Sequence, residues 1–409
     1  MEKFRKLGII EPILESIQEQ KFEVPSEIQE KSIPLILGWK DVIAQAATGS
    51  GKTLAFAAGI IKNVEKGKGV QALVLTPTRE LAEQVSIVLQ KFSRYNPLRI
   101  TAIYGGVSIN PQIDKLRTTD VVVGTPGRIL DHIERRTLNL ERVKILVLDE
   151  ADRMLDMGFK KDVEKIIWKC PKDRQTLLFS ATISYDLVEL ARRYMKNPIK
   201  VSAEAYVDPS KLTQIYYDVE DNKKFSLLVH FLKNEKSGLI MVFCNTKRAT
   251  DFVAKNLRSA GIEAMALHGG HSQQKRSDTM YKFRENRIAV LVCTDVAARG
   301  LDIKGVSHIY NYDIPKTSDD YIHRIGRTAR AGKEGKVINI LTRRDYDNFR
   351  SVLRNPDLNI EGASVPVIDY IAITTKDTGR HSFNRSNNYS SNHNYSRQDR
   401  NNLGGNRHR

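Results

Sequence analysis

No apolar run in these 409 residues approaches the stretch of about 18 needed to cross a bilayer, so a helical membrane protein is excluded. The opening residues, MEKFRKLGII, carry neither a signal-peptide h-region nor a cleavage site, and the expectation is a cytoplasmic protein without a membrane partner. Cysteine is scarce. Cys170, Cys244 and Cys293 stand far apart with no CxxC pair, which argues against a cysteine-based zinc or redox site and for small apolar side chains in a reducing compartment. Acidic residues are short as well: 48 Asp and Glu face 65 Lys and Arg, a formal net charge of +17. Residues 376–409 supply seven positive and two negative side chains, hence +5, and the remaining +12 falls on the rest of the chain. A basic globular surface favours a polyanionic partner such as nucleic acid. The length suits two or three domains and excludes a single small one.

What is present begins with AATGSGKT, Ala46 to Thr53, which fits G-x-x-x-x-G-K-[ST] except that Ala46 takes the first glycine position. An apolar run, DVIAQA, precedes it and a helix-prone run, LAFAAGII, follows, which is the context this motif requires. Gly49 and Gly51 let the backbone curl so that successive N–H groups and the next helix N-terminus face a polyphosphate. Lys52 would reach the β- and γ-phosphates and Thr53 would hold Mg²⁺, with Ala47, Thr48 and Ser50 completing the loop. The plain alternative is a glycine-rich turn that binds nothing.

Short β-branched runs alternate with helical stretches: VQALVLT (70–76), DVVVGT (120–125), VKILVLD (143–149) and TLLFSA (176–181) in the first half. The second half repeats the pattern with GLIMVFC (238–244), EAMALH (263–268), IAVLVCT (288–294), VSHIYNY and KVINIL (336–341). Continuous apolar strands belong to parallel sheets covered on both faces, so the fold class is α/β with two tandem doubly wound domains. The polar, proline-containing run VSAEAYVDPSKLT reads as a linker. The bounds are a lead-in over 1–30, a first domain over 31–203, a linker over 204–212, a second domain over 213–370 and a tail over 371–409. That tail, rich in Asn, Ser and Arg, cannot bury a core and is expected to be disordered. Five polar clusters follow five strands, where open parallel sheets bind ligands: TPTRE, GTPGR, DEAD, SAT and TDVAARGLD.

ILVLDEAD delivers Asp149 to the edge of an apolar strand, the Walker-B arrangement, in which this carboxylate holds Mg²⁺ and Glu150 polarises an attacking water. A solvated acidic helix start is the alternative. HRIGRTARAG spaces Arg324, Arg327 and Arg330 at i, i+3 and i+6, so one helical face is expected to present them together, either to a γ-phosphate or to solvent and RNA.

From about Phe4 to Asp369 this set resembles the DEAD-box RNA helicases of helicase superfamily 2. The motifs are KFEVPSEIQ (21–29), AATGSGKT (46–53), PTREL (77–81), GG (105–106), TPGR (125–128), DEAD (149–152), SAT (180–182), FCNTK (243–247), QQKR (273–276), TDVAARGLD (294–302) and HRIGRTAR (323–330). The resemblance implies two RecA-like domains and an ATPase using ATP and Mg²⁺. It implies that Phe22 stacks on adenine, supported by Phe4, while Gln29 bonds the adenine edge. Asp302 contacts ribose, and Arg327 and Arg330 contact the γ-phosphate. His323 helps couple the clusters across the cleft, and Asp152, Ser180 and Thr182 link hydrolysis to strand separation. RNA backbone contacts fall to Pro77, Thr78, Arg79, Gly106, Thr125 and Arg128 in the first half and to Gln273, Arg276 and Thr294 in the second.

Three positions depart from the family pattern: Lys21 and Ala329 stand where glycine is usual, and Ala46 is the loop variant already noted. An added methyl at Ala329 restricts the backbone between two arginines expected to serve hydrolysis. The leading reading is an ATP-dependent RNA helicase, a monomer that binds single strands and short duplexes, bends one strand, and remodels RNA-protein complexes. Competing readings are an RNA clamp locked by ATP and a translocating DNA helicase. The tail, with Phe383, Tyr389 and Tyr395 among arginines, reads equally as an RNA tether or a solubilising end.

Overall fold

A computed structural model describes residues 1–47, 49–203, 212–234, 238–298, 303, 305–329 and 334–373. Thr48, Asp302, Arg330, the linker segment 204–211 and the tail beyond 373, with Phe383, Tyr389 and Tyr395, lie outside the described residues.

The first sheet contains β1 (Val42–Gln45), β2 (Ala72–Leu75), β3 (Ile100–Ile103), β4 (Val121–Gly124), β5 (Ile145–Asp149), β6 (Gln175–Ser180) and β7 (Ile199–Ser202), in the order β3-β4-β2-β5-β6-β1-β7. The second contains β8 (Leu212–Asp218), β9 (Leu239–Phe243), β10 (Ala264–Leu267), β11 (Val290–Cys293), β12 (Val306–Asn311), β13 (Gly335–Leu341) and β14 (Glu361–Gly362), in the order β10-β11-β9-β12-β13-β8-β14. Every neighbouring pair is parallel. Counted from β8, the second order repeats the first. The expected α/β class with two tandem RecA-like sheets is therefore what the chain forms.

The apolar runs explain the layering. Every residue of β2, β4, β5 and β6 is buried. Their side chains alternate between two cores: Ala72, Val74, Val121, Val123, Ile145 and Val147 enter one, while Leu73, Leu75, Val122, Leu146 and Leu148 enter the other. Strand periodicity thus divides each run between the helices above and those below, and each buried Val or Leu contributes about 1.5–3 kcal/mol. The three cysteines are free and buried.

At the carboxyl edge the chain switches from strand to helix on hydroxyl caps. Thr78 accepts from Leu81 N at 3.3 Å and Thr246 from Ala249 N at 3.1 Å, and each satisfies an amide that the first helical turn leaves open. The linker-like run is shorter than its composition suggests, because Val201 and Ser202 pair with β1 and Leu212 and Thr213 with β13.

Asp41, 5 % exposed, locks the amino edge of the first sheet. Its carboxylate accepts from Thr176 N at 2.8 Å and from Lys196 N at 2.7 Å, and so joins the starts of β1 and β6 to the turn before β7. Asp41→Ala leaves both amides unpaired and should cost about 2–4 kcal/mol in urea unfolding, with Asp41→Asn losing roughly half of that.

Candidate active site

The phosphate loop is shaped by two left-handed glycines, Gly49 at φ 88° and Gly51 at φ 91°, and the helix Lys52–Asn63 starts immediately after. A Cβ on Gly51 would lie 2.3 Å from Gln29 Nε2, so only glycine fits. The lead-in segment is tied to this loop: Ser26 Oγ donates to Ser50 O at 2.6 Å and Gln29 Nε2 to Gly51 O at 3.0 Å, while Gln29 Oε1 accepts from Ser26 N at 3.0 Å. A glutamine amide has two N–H donors and two lone pairs, so one of each remains for a base edge. Phe22 is 40 % exposed, with its ring 6.2 Å from that of Phe92, whereas Phe4 is fully buried in the first core.

Lys52 is buried, and its ammonium donates to Ala46 O at 3.0 Å. The Ser50 hydroxyl is buried without a hydrogen-bond partner among the described residues. A turned-in cation, an unpartnered hydroxyl and a glycine-only cradle are the donor set that a phosphate chain requires. Thr53, half-buried, is the next residue of the same helix.

Asp149 ends β5, and Glu150 caps the following helix at φ 51° and ψ 52°. A non-glycine residue in that region costs about 1–2 kcal/mol. The cost is offset by an ion pair to Arg153, itself buried, and by Arg153 N and Met154 N donating to Glu150 O at 3.1 and 3.2 Å. Asp152 takes the next link. Its Oδ2 accepts from Thr182 N at 2.8 Å, Thr182 Oγ1 at 3.0 Å and Ala181 N at 3.1 Å, while Ser180 Oγ accepts from Asp152 N at 3.2 Å. The DEAD and SAT clusters are therefore one hydrogen-bonded body.

The two adjacent carboxyls are shifted in opposite directions. Burial pushes Asp149 up to about 6; Lys52 opposes that rise and Glu150 adds to it. Burial also raises Glu150, but Arg153, then Arg327, then Lys52 outweigh it and hold the carboxyl at about 2. Asp149 is thus a buried oxygen ligand that gains from a nearby dication, which fits Mg²⁺.

The second sheet contributes Arg327, 3 % exposed and near enough to act on Glu150. The expected single arginine face does not form. The helix Ser318–Ile325 ends before Arg327. Arg324 turns inward, donating to Asp295 Oδ1 at 2.6 Å and Oδ2 at 2.7 Å, Asn311 Oδ1 at 3.0 Å, Asp313 O at 2.5 Å and Asn245 Oδ1 at 2.9 Å. It fastens the motif ends of the second half and offers nothing to a phosphate. His323 is half-buried on the same helix. Ala329 adopts φ 52° and Lys21 φ 57°, so both departures from glycine occupy the left-handed region that glycine favours.

The residues expected to touch RNA converge in the first half. Gly106, at φ 79°, would place a Cβ 1.9 Å from Arg79 Nη1, and a Cβ on Gly105 would lie 3.8 Å from Arg79 Nη2 and 4.0 Å from Arg128 Nη2. Pro77 and Thr78 lead into the helix that starts with Arg79, Thr125 into the helix that carries Arg128, and Arg128 Nη2 donates to Val107 O at 3.1 Å. In the second half, Thr294 is buried at the end of β11 and donates from its N to Leu267 O at 3.3 Å. Gln273 and Arg276 reach across to Glu80: Gln273 Nε2 donates to its Oε1 at 3.2 Å, and Arg276 Nη2 lies 2.7 Å from its Oε2. The sequence reading assigned Glu80 no role, and the nearer in sequence of its two partners is 193 residues away.

The DEAD/DEAH box helicase family model matches residues 26–190, and that of the helicase conserved C-terminal domain matches 223–332. The chain belongs to the DEAD/DEAH box helicase family. It is 46 % identical over 373 residues to the DEAD-box ATP-dependent RNA helicase CshA of Geobacillus kaustophilus, covering 90 % of this chain and 80 % of that relative. A structure of S. cerevisiae Dbp5 bound to RNA and ADP BeF3 superimposes with a TM-score of 0.82 at 33 % identity, over 89 % of this chain and 96 % of that one. A DEAD box protein from Methanococcus jannaschii, 45 % identical and covering 88 % of this chain and 99 % of its own, gives 0.53. Similarity in shape does not follow similarity in sequence across these two structures.

The carboxyl pair gives opposite pH signatures. Asp149, with a folded value above its ordinary 3.8, favours folding only while protonated, and that contribution is lost as pH rises to about 6. Asp149→Asn should therefore stabilise the apo protein by up to about 3 kcal/mol at neutral pH and by nothing near pH 3.8, read by urea unfolding across that window. Glu150, held below its ordinary 4.5, contributes above that value and loses the contribution as pH falls to about 2, so Glu150→Gln should lower stability at neutral pH. Ala329→Gly should relieve strain and raise the thermal midpoint by a stability change of about 1 kcal/mol or less. Gly335→Ala should lower it, since the added Cβ would lie 2.6 Å from Thr328 Oγ1 and 2.7 Å from Ala329 N.

Proposed function

We propose that this chain is an RNA-stimulated ATPase and ATP-dependent RNA helicase, which hydrolyses ATP when its two halves close on RNA, opens short duplexes and remodels RNA-protein complexes. The observation that carries the reading is that the second half meets the first at two places. Arg327 acts on Glu150 beside the phosphate loop, and Gln273 and Arg276 meet Glu80 beside Arg79. Closure then completes the ATP site and the RNA face together. The names of the relatives, a DEAD-box ATP-dependent RNA helicase and Dbp5 bound to RNA and ADP BeF3, support it.

The halves are assigned to 31–203 and 213–370, with 1–30 as lead-in, 204–212 as linker and 371–409 as tail. Phe22 and Gln29 take the adenine, residues 47–53 the phosphates and Asp302 the ribose. Thr53 and Asp149 would hold Mg²⁺, which when bound neutralises charge on the transferring phosphoryl group. A carboxylate held at about 2 is too weak a base to take a proton early, so Glu150 orients and polarises the attacking water. Arg327 and Arg330 stabilise the developing γ-phosphate charge, and His323 with Asp152, Ser180 and Thr182 carries the coupling. Arg79, Gly106, Thr125, Arg128 and their neighbours Pro77 and Thr78 grip the RNA backbone opposite Gln273, Arg276 and Thr294, which favours RNA without reading bases. Both charge sets come from one chain, which suits a monomer, and the three free buried thiols suit the cytoplasm.

Steady-state ATPase with RNA, with single-stranded DNA and without nucleic acid tests the reading. Strong stimulation by RNA alone, lost in Glu150→Gln and reduced about 10³-fold or more in kcat by Arg327→Ala, is expected. A rate indifferent to RNA would mean that the halves are not coupled and would overturn it.

A further inference from the structure

Away from the ATP site, the second half gathers three ligand-bearing side chains. Among the described residues, Asp251, His268 and His271 form the one group of three or more His, Cys, Asp or Glu side chains able to hold a metal ion, with one ligand atom of each within 4.8 Å of the others. Asp251 lies on the helix Lys247–Ser259, His268 directly follows β10, and His271 ends the Gly269-Gly270 turn before the helix Gln273–Arg284. His268 Nε2 is 2.9 Å from Asp251 Oδ2, and His271 Nε2 is 3.4 Å from Oδ1, so one imidazole faces each carboxylate oxygen. The rings stand 3.9 Å apart, centroid to centroid, tilted by 40°. The histidine side chains are 5 % and 9 % exposed and Asp251 55 %, so the cluster is walled on one side and open to solvent on the other.

We propose that Asp251, His268 and His271 form a binding site for a transition-metal dication of the zinc class, separate from the nucleotide site. Two imidazole nitrogens and a carboxylate oxygen are the ligands such ions select, with water as the fourth. Ligands about 2.0–2.1 Å from a tetrahedral centre lie about 3.4 Å from one another, against 2.9 and 3.4 Å here from each nitrogen to the carboxylate oxygen it faces, with all three ligand atoms within 4.8 Å. Two small adjustments accompany loading. Metal on His268 Nε2 moves that ring's proton to Nδ1, so the N–H of Gly270, now 3.1 Å from Nδ1, turns away. Lys275, whose exposed ammonium is 3.2 Å from His271 Nε2, releases that lone pair. The bound ion pins the helix bearing Asp251 to the turn that launches Gln273 and Arg276, so it stiffens the element that meets Glu80 across the two halves.

The test is a Zn²⁺ titration of the metal-free full chain against a chromophoric chelator, repeated with Co²⁺ for its visible absorption. Wild type should bind one equivalent more than His271→Asn or Asp251→Asn, and its tetrahedral Co²⁺ band should be absent from both variants. Counting by difference removes any contribution of the tail histidines. Lys275→Ala should tighten the same equivalent several-fold. Equal stoichiometry and equal spectra in folded variants would overturn the proposal and leave an ion-paired histidine couple. If a variant unfolds, X-ray absorption of wild type with one equivalent of Zn²⁺ decides: two imidazole ligands with oxygen are expected, and any other histidine count overturns it.

Discussion

Parallel pairing makes every strand of a sheet end at the same edge, and the chemistry of this chain depends on that constraint. β1, β2, β4, β5 and β6 each run out of apolar residues at one rim of the first sheet, and each hands over to a polar cluster there. Residues 46–53, 76–80, 125–128, 149–152 and 180–182 are distant in sequence and adjacent in space for that reason alone. The second sheet repeats the arrangement, so its strands too deliver their ends to a single rim.

Within that frame, rigidity is concentrated where charge is. Asp152 receives three hydrogen bonds from Ala181 and Thr182, which tie the turn after β5 to the end of β6. Backbone strain sits nearby. Glu150 and Ala329, one from each half, both hold left-handed backbone angles that non-glycine residues resist. Folding stability is spent there to fix side-chain direction, and the ion pair of Glu150 with buried Arg153 sustains it.

Much of this was legible in the sequence, because continuous apolar runs can only be strands covered on both faces. The central strands and the clusters after them were read from that signal. β3 and β8 were not: ITAI is short, and LTQIYYD mixes polar with apolar residues beneath partial cover. Spacing gave Arg324 and Arg327 a shared helical face, but spacing says nothing of where a helix stops, and this one stops at Ile325. Glu80 carried no signal in the sequence, since its partners lie on a helix of the other half. Asp251 and His268, 17 residues apart, are joined only by the crossover from helix to β10.

The repeated strand order also allows the glycine-curled loop of the first half to be set against its counterpart in the second. The helix after β1 begins at Lys52, and the helix after β8 begins at the corresponding Lys224. Lys52 rests on a neutral carbonyl, that of Ala46. Lys224 is answered from within: its ammonium donates to Asp345 at 2.7 Å, with Asp313 at 3.8 Å. The residues before it, VEDNK, supply no glycine to curl a loop. The same architectural slot thus exists twice, once left open beside a glycine-curled loop and once filled by carboxylates of the chain itself.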